Sequence, residues 1–131
     1  MPLVHLVITL ALVEFFVFCS AVGRARGTYK VPAPATTGNE IFERYFRVQM
    51  NTLEQLIIFV PAMVLFGRYI SPYVAAVLGI VFIIGRFVYF QSYVKEPKKR
   101  GLGFGLSALP NLVLLGGAMI GAVRAAIVQL S

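Results

Sequence analysis

Polar and charged side chains recur on one face of a long, mostly apolar segment, residues 42–67. Arg44, Arg47, Asn51 and Glu54 are spaced three, four and three residues apart, which makes them neighbours along one face of an α-helix. The guanidinium of Arg47 can bind a carboxylate, Glu54 can bind an ammonium group, and Asn51 can both donate to and accept from an amide. Together these three side chains complement a zwitterionic peptide.

A second polar face lies in a later apolar segment, where Arg86, Tyr89 and Tyr93 stand at positions i, i+3 and i+7. A charged side chain in hydrocarbon costs about 2.5–3.5 kcal/mol on insertion scales, so Arg86, Glu14 and Glu54 each require a partner or a function. One interpretation is that these charges pair with one another as structural ion pairs. The other is that the two polar faces meet inside a helical bundle and form a buried site for a polar ligand.

Composition indicates a membrane protein of one domain. Hydrophobic residues make up 59% of the 131 residues, whereas soluble domains contain roughly 45–50%. The net charge of +7 comes from basic residues clustered between apolar blocks, which is typical of membrane topology and not of a nucleic-acid-binding patch. The single cysteine allows no intrachain disulfide, and the single histidine has no second histidine with which to bind a metal. We therefore expect no nucleic-acid partner and no metal.

Four apolar runs, each long enough to cross a bilayer, predict an all-α, integral membrane four-helix bundle. The segment between the first two runs, residues 23–39, contains prolines and glycines that we expect to interrupt the helix, so it is predicted to be a basic loop. The connection at 68–72 is short, which makes the second and third helices antiparallel neighbours. The predicted helices cover residues 3–22, 41–67, 73–93 and 105–128.

The loops differ in positive charge, and this difference predicts the orientation in the membrane. The first and third loops contain three and four Lys or Arg residues respectively, whereas the second contains Arg68 alone. By the positive-inside rule, the first and third loops are cytoplasmic and both termini lie on the opposite side. The charged ends of the two polar faces then open toward the cytoplasm, where they can share one site.

The second apolar segment and its flanks contain motifs that resemble a known family, the membrane-associated proteins in eicosanoid and glutathione metabolism (MAPEG). The similar motifs are FER at 42–44, RVQMN at 47–51 and the following Glu54, together with VPAPATTG at 31–38 and GRFVYFQSYVKEPKKR at 85–100. The similarity extends from about residue 24 to residue 100. The first and fourth predicted helices match only in their apolar character.

This resemblance implies a homotrimer of four-helix subunits that binds glutathione, as a co-substrate, in clefts between neighbouring subunits. Arg100 matches the arginine with which the family stabilises the glutathione thiolate. A thiol is a weak nucleophile until it ionises, and a nearby permanent cation lowers its pKa. The implied partners are glutathione, a lipophilic electrophile from the bilayer, membrane lipid and other copies of the chain. The implied glutathione-binding residues are Arg26, Arg47, Gln49, Asn51, Glu54, Tyr89 and Tyr93.

The sequence therefore predicts a membrane-bound glutathione transferase, and the same thiolate makes glutathione peroxidase activity a second reaction. One alternative is a small four-helix multidrug/proton antiporter that uses Glu14, because such transporters need a carboxylate in a membrane span. That alternative leaves Arg47, Asn51, Glu54 and Arg100 without a role. A second alternative is a non-catalytic, lipid-binding MAPEG member, against which the joint presence of Arg100, Arg47 and Glu54 argues.

Overall fold

The computed structural model describes residues 1–131 and contains four long α-helices and one short 3-10 helix. All four α-helices are long and apolar enough to cross a membrane. This confirms the prediction of an all-α, multi-pass membrane protein. The helices are α1 (Pro2–Tyr29), α2 (Glu40–Tyr69), α3 (Pro72–Lys95) and α4 (Gly101–Leu130), with the 3-10 helix at Pro97–Lys99 between α3 and α4.

The first helix is longer than predicted. It continues through Gly23 and Gly27 to Tyr29, so the prediction of a loop beginning at residue 23 was wrong for this part of the segment. A glycine inside a helix costs only about 1 kcal/mol relative to alanine, which packing can offset. Here Ala25 and Phe42 belong to one buried cluster that holds the end of α1 against the start of α2.

Side-chain caps determine where α2 and α3 begin. The Asn39 side chain accepts a hydrogen bond from the backbone N–H of Phe42 at 2.9 Å, and Glu40 and Glu43 occupy the first turn of α2. Capping oxygens and carboxylates suit a helix N-terminus, which explains why α2 begins at Glu40, one residue before the predicted start. Ser71 caps α3 in the same way. The polar face of α2 therefore begins within two turns of a defined cap.

Glycines allow α3 and α4 to pack with their backbones in contact. A Cβ atom at Gly103 would lie 2.5 Å from Cα of Tyr89, and one at Gly85 would lie 2.7 Å from the backbone nitrogen of Ser107. Small residues permit such close approaches between membrane helices. The close packing places Ser107 of α4 beside Gly85 and Arg86, near the middle of α3.

Arg44 connects the start of α2 to the end of α3. Its guanidinium donates hydrogen bonds to the carbonyl oxygens of Val94 and Lys95, each at 3.1 Å, and pairs with Glu40 at 3.1 Å. Carbonyl groups in the last turn of a helix have no partner within the helix, so Arg44 satisfies two of them. The first residue of the polar face thus stabilises the helix ends and does not line the cleft described next.

Candidate functional site

One cleft opens at the end of the bundle where α2 begins, α3 ends and α4 begins. Its volume is about 540 Å³, within the range of roughly 300–1,000 Å³ that is usual for small-molecule sites. It brings together five of the eight residues that the sequence nominated, from α2, α3 and the turn before α4. The cleft is lined by Arg47, Asn51, Tyr89, Tyr93, Arg100 and Phe104.

The charged groups at the mouth of the cleft are available to a ligand. Arg47 pairs across 3.8 Å with Glu54, which does not itself line the cleft, and 53% and 57% of their side chains remain exposed. An ion pair this exposed contributes less than about 1 kcal/mol, so charges on a ligand can replace either partner. The guanidinium of Arg100 is also exposed and donates one hydrogen bond, to the carbonyl oxygen of Pro97 at 3.2 Å. Its other N–H groups face no partner within the chain.

Aromatic rings form the inner wall of the cleft. Tyr89 is buried and Tyr93 is half-buried, and their rings stack with centroids 5.4 Å apart. Phe104 of α4 lies 6.4 Å from the ring of Tyr89. The cleft is therefore cationic at its mouth and aromatic inside, which suits a ligand that is charged at its ends and joined to an apolar group.

Directly behind the cleft lies a fully buried arginine. Arg86 donates hydrogen bonds to Asn51 Oδ1 at 2.8 Å, to Thr52 Oγ1 at 2.9 Å and to Ser107 Oγ at 3.0 Å. Its guanidinium also lies 4.3 Å from the centroid of the Tyr89 ring. These contacts join α2, α3 and α4 around one cation.

The ion pairs expected among the charges in the spans form only in part. Arg47 pairs with Glu54, but no carboxylate lies within 4 Å of Arg86. Glu14 is half-buried on α1 and makes no direct ion pair. Arg86 is therefore stabilised by neutral oxygens and an aromatic ring and not by a neighbouring carboxylate.

Gln49 lies on the opposite side of α2 from the cleft. A helix turns by about 100° per residue, so two residues separate Gln49 from Arg47 by about 200° around the axis. Gln49 faces α1, where its Nε2 donates a hydrogen bond to Sγ of Cys19 at 3.3 Å. Gln49 and Arg47 of one chain therefore face different surfaces of the bundle and do not line the same cleft.

Arg26 also lies away from the cleft, at the end of α1. It donates hydrogen bonds to the carbonyl oxygens of Ala35, at 2.7 Å, and Val31, at 3.4 Å. Its guanidinium lies 4.9 Å from the centroid of the Phe42 ring. Within one chain, Arg26 holds the loop between α1 and α2 in place.

Comparison with known proteins agrees with the motifs. The model of the MAPEG family matches residues 4–120. The chain belongs to the MAPEG family. Among MAPEG relatives, human microsomal glutathione S-transferase 2 is 46% identical over 101 residues, which cover 76% of this chain and 69% of that protein. Leukotriene C4 synthase of Cavia porcellus is 33% identical over 121 residues, or 86% of this chain and 81% of that protein. An uncharacterised protein of Synechocystis sp. is 47% identical over 115 residues, or 88% and 84% of the two chains.

Three residues around the cleft of this MAPEG chain were not found from the sequence. Thr52 and Ser107 bind the buried Arg86, and Phe104 lines the cleft. The charge of Arg86 within a span indicated that it needs partners. Its partners are small hydroxyl residues of two other helices, however, and nothing in their spacing distinguishes them from ordinary helical residues.

Proposed function

We propose that the protein is a membrane-bound glutathione transferase that conjugates glutathione to lipophilic electrophiles, a detoxifying reaction. The names of two relatives, a glutathione S-transferase and leukotriene C4 synthase, support this class of activity. The observation that carries the proposal is the convergence of Arg47, Asn51 and Arg100 with two tyrosines on one cleft.

The charges around the cleft complement those of glutathione, which has two carboxylates, one ammonium group and two peptide bonds. Arg47 binds a carboxylate through paired N–H donors, and Glu54 binds the ammonium group. The exposed Arg47–Glu54 pair opens at little cost when the peptide enters. Asn51 binds the backbone of the peptide, and the stacked rings of Tyr89 and Tyr93 form the wall behind it.

Arg100 activates the thiol of bound glutathione. Its permanent positive charge lowers the pKa of the thiol, so the thiolate forms near neutral pH and the thiol proton passes to water. The thiolate sulfur then attacks the electrophilic carbon of the acceptor: a carbon–sulfur bond forms, and the leaving group departs with the electrons of its former bond. Phe104 and the apolar surface of α4 provide a route for the acceptor from the bilayer.

The purified protein in detergent is expected to conjugate glutathione to a chlorodinitrobenzene, with release of chloride. Arg100→Ala should lower kcat more than it raises KM, because Arg100 acts on the sulfur, whereas Arg47→Ala and Glu54→Ala should raise KM for glutathione. Arg68→Ala, at the opposite end of α2, is the matched control. Unchanged kinetics in all three cleft variants would contradict the proposal.

The same preparation tests the two other activities. With a lipid hydroperoxide, two glutathione molecules would be oxidised to the disulfide while the hydroperoxide is reduced to an alcohol and water, and the rate should depend on Arg100.

For the antiporter, Glu14→Gln should abolish proton-driven drug uptake into vesicles. If the unmodified protein shows no uptake, the antiporter alternative is excluded. That alternative also gives no role to the residues that line the cleft.

We infer that the chain forms a homotrimer in which each cleft is completed by a neighbour. Gln49 and Arg26 face away from the cleft of their own chain, so they reach glutathione only if they belong to an adjacent subunit. Light scattering in detergent should give three times the mass of the chain. Mixed assemblies of Arg100→Ala and Gln49→Ala subunits should regain part of the activity that each variant alone lacks, since some clefts then contain both native residues.

In the membrane, we propose that the loops before α2 and after α3 are cytoplasmic and that both termini lie on the opposite side. The cleft then opens toward the compartment that contains glutathione. A cysteine introduced at Lys30, in a chain with Cys19→Ser, should react with an impermeant maleimide only when the cytoplasmic face is accessible. Labelling from the other face would reverse the orientation.

A further inference from the structure

Arg86 is a charged residue at a position where burial of a cation is energetically unfavourable. It has no exposed surface and lies within a membrane-spanning helix. Arg86 Nη1 and Nη2 make hydrogen bonds, but its buried Nε makes none. A buried charge is often no more stabilising than an apolar side chain of similar size, so stability alone does not account for it. Its hydrogen bonds reach Thr52 and Ser107, which are buried, and Asn51, which lines the cleft. Arg86 therefore connects the packed interior to one residue of the candidate site.

The hydrogen bond from Arg86 determines which end of the Asn51 amide faces the cleft. A guanidinium has donors only, so the atom of Asn51 that lies 2.8 Å from Arg86 is the oxygen, Oδ1. Bonds from a charged donor are roughly twice as strong as neutral ones, which holds this orientation firmly. Nδ2 makes no hydrogen bond within the chain. Asn51 accordingly presents N–H groups, and not its carbonyl oxygen, to the cleft.

The guanidinium is itself held in place from α4. Ser107 accepts a hydrogen bond from Arg86 at 3.0 Å while its own hydroxyl donates to the carbonyl oxygen of Gly103 at 3.0 Å. Thr52 provides a second acceptor from α2 at 2.9 Å. With acceptors on two helices, the planar guanidinium has one orientation in which these three hydrogen bonds form together.

We propose that Arg86 is a positioning residue, which orients Asn51 so that the cleft selects a hydrogen-bond acceptor, a carbonyl or carboxylate oxygen, on the bound peptide at this point. This inference rests on the proposed function and adds to it a determinant of specificity. Arg86 does not touch the ligand, and it acts through the amide of Asn51.

The direct test is Asn51→Asp, which preserves size and the oxygen that accepts from Arg86 but replaces N–H donors with an acceptor. We expect the Kd for glutathione, measured by calorimetry in detergent, to rise by about tenfold or more, the effect of leaving one buried polar contact unmade. The matched control is Asn39→Asp, which changes the charge equally, keeps the cap of α2 and should bind normally. Binding by Asn51→Asp as tight as that of the unmodified protein would overturn the proposal.

A double-mutant cycle tests whether Arg86 acts through Asn51. Lysine at position 86 keeps the charge but lacks the planar fork that reaches all three acceptors. We expect Arg86→Lys to weaken glutathione binding by about tenfold, with kcat at saturating glutathione unchanged. In the Asn51→Ala protein the same change should have less than about a twofold effect, because coupled residues are not additive. Equal losses in both backgrounds would show that Arg86 acts independently of Asn51.

The outcomes separate this inference from the proposed function. If the unmodified protein binds no glutathione, both are wrong. If it binds glutathione and Arg47→Ala weakens binding while Asn51→Asp does not, the proposed function stands and the role of Arg86 is refuted. Thermal unfolding in detergent shows whether Arg86→Lys is folded, and if it is not, Asn51→Asp alone decides.

Discussion

Replacement of Gly103 by alanine is expected to separate α4 from α3 at the cleft. The added Cβ would lie 2.5 Å from Cα and 2.9 Å from Cβ of Tyr89, and closer still to its backbone nitrogen. Carbon atoms in contact are normally about 3.5–4.0 Å apart, so α4 must move by about 1 Å. The obstacle is largely backbone, which cannot rotate away as a flexible side chain can.

Gly103→Ala is expected to lower both the free energy of unfolding and the catalytic activity. Overpacking of this kind destabilises proteins by about 1–3 kcal/mol. Arg100 immediately precedes α4, whereas Tyr89 and Tyr93 belong to α3, so the movement also changes the distance between Arg100, the proposed activating cation, and the wall of the cleft. A misplacement of about 1 Å at a reacting centre can reduce the rate by about 100-fold. We expect kcat/KM of Gly103→Ala to fall by about 10- to 100-fold.

Gly105→Ala is the matched control, because a Cβ at Gly105 would meet no atom within 4 Å. The same substitution two residues further along α4 should stabilise the helix by about 0.4–1 kcal/mol. Both variants would be compared by thermal unfolding in detergent and by conjugation of glutathione to a chlorodinitrobenzene. If Gly103→Ala matches Gly105→Ala in both measurements, α3 and α4 do not pack as described. The comparison of thermal unfolding tests the packing of α3 against α4 and does not depend on which substrate the protein uses.

Three further predictions concern the thiolate, helix packing and a cap. Arg100→Ala should raise by about 1–3 pH units the midpoint at which the ultraviolet absorbance of bound glutathione thiolate appears, because the cation that favours the anion is lost; an unchanged midpoint would exclude Arg100 from this role. Gly117→Ala should lower the Tm, since its Cβ would lie 2.5 Å from Cδ2 of Phe66 and closer still to Cε2, while Gly116→Ala, whose Cβ would meet no atom within 4 Å, should not; equal Tm values would contradict this packing. Asn39→Ala should lower the free energy of unfolding, measured by denaturant titration, by about 0.5–2 kcal/mol. An unchanged free energy of unfolding would show that the cap is dispensable.

The sequence predicted the helices well because hydrophobic periodicity is a local property. The prediction from sequence was less reliable at glycine residues. Gly23 and Gly27 lie inside α1, although the sequence suggested a loop there. Gly117 is in contact with another helix while the adjacent Gly116 is not. Which face of a helix meets a neighbour depends on tertiary packing, and composition alone does not reveal it.

The sequence predicted only those parts of the candidate site that lie within one helix, because local patterns do not show which helices meet. Arg47 and Asn51 share one face of α2, and helical spacing alone shows this. The grouping of Arg86 with Thr52 and Ser107 depends on three helices meeting, and no pattern within any one of them indicates it. The position of Gln49 on the opposite face of α2 follows from helical geometry, yet the resemblance grouped it with residues that lie elsewhere in a single chain.

The cleft lies at one end of the helices, with Arg47 and Arg100 exposed at its mouth and Phe104 at its side. Such a position is a boundary between two solvents. Under the proposed function, a water-soluble peptide would arrive from one phase and an oily acceptor would diffuse sideways from the other, so neither would have to cross the medium that excludes it. The conjugate would carry the carboxylates of the peptide, so its return to hydrocarbon would be unfavourable. A reaction at this position would thus transfer oily reactants from the bilayer to water.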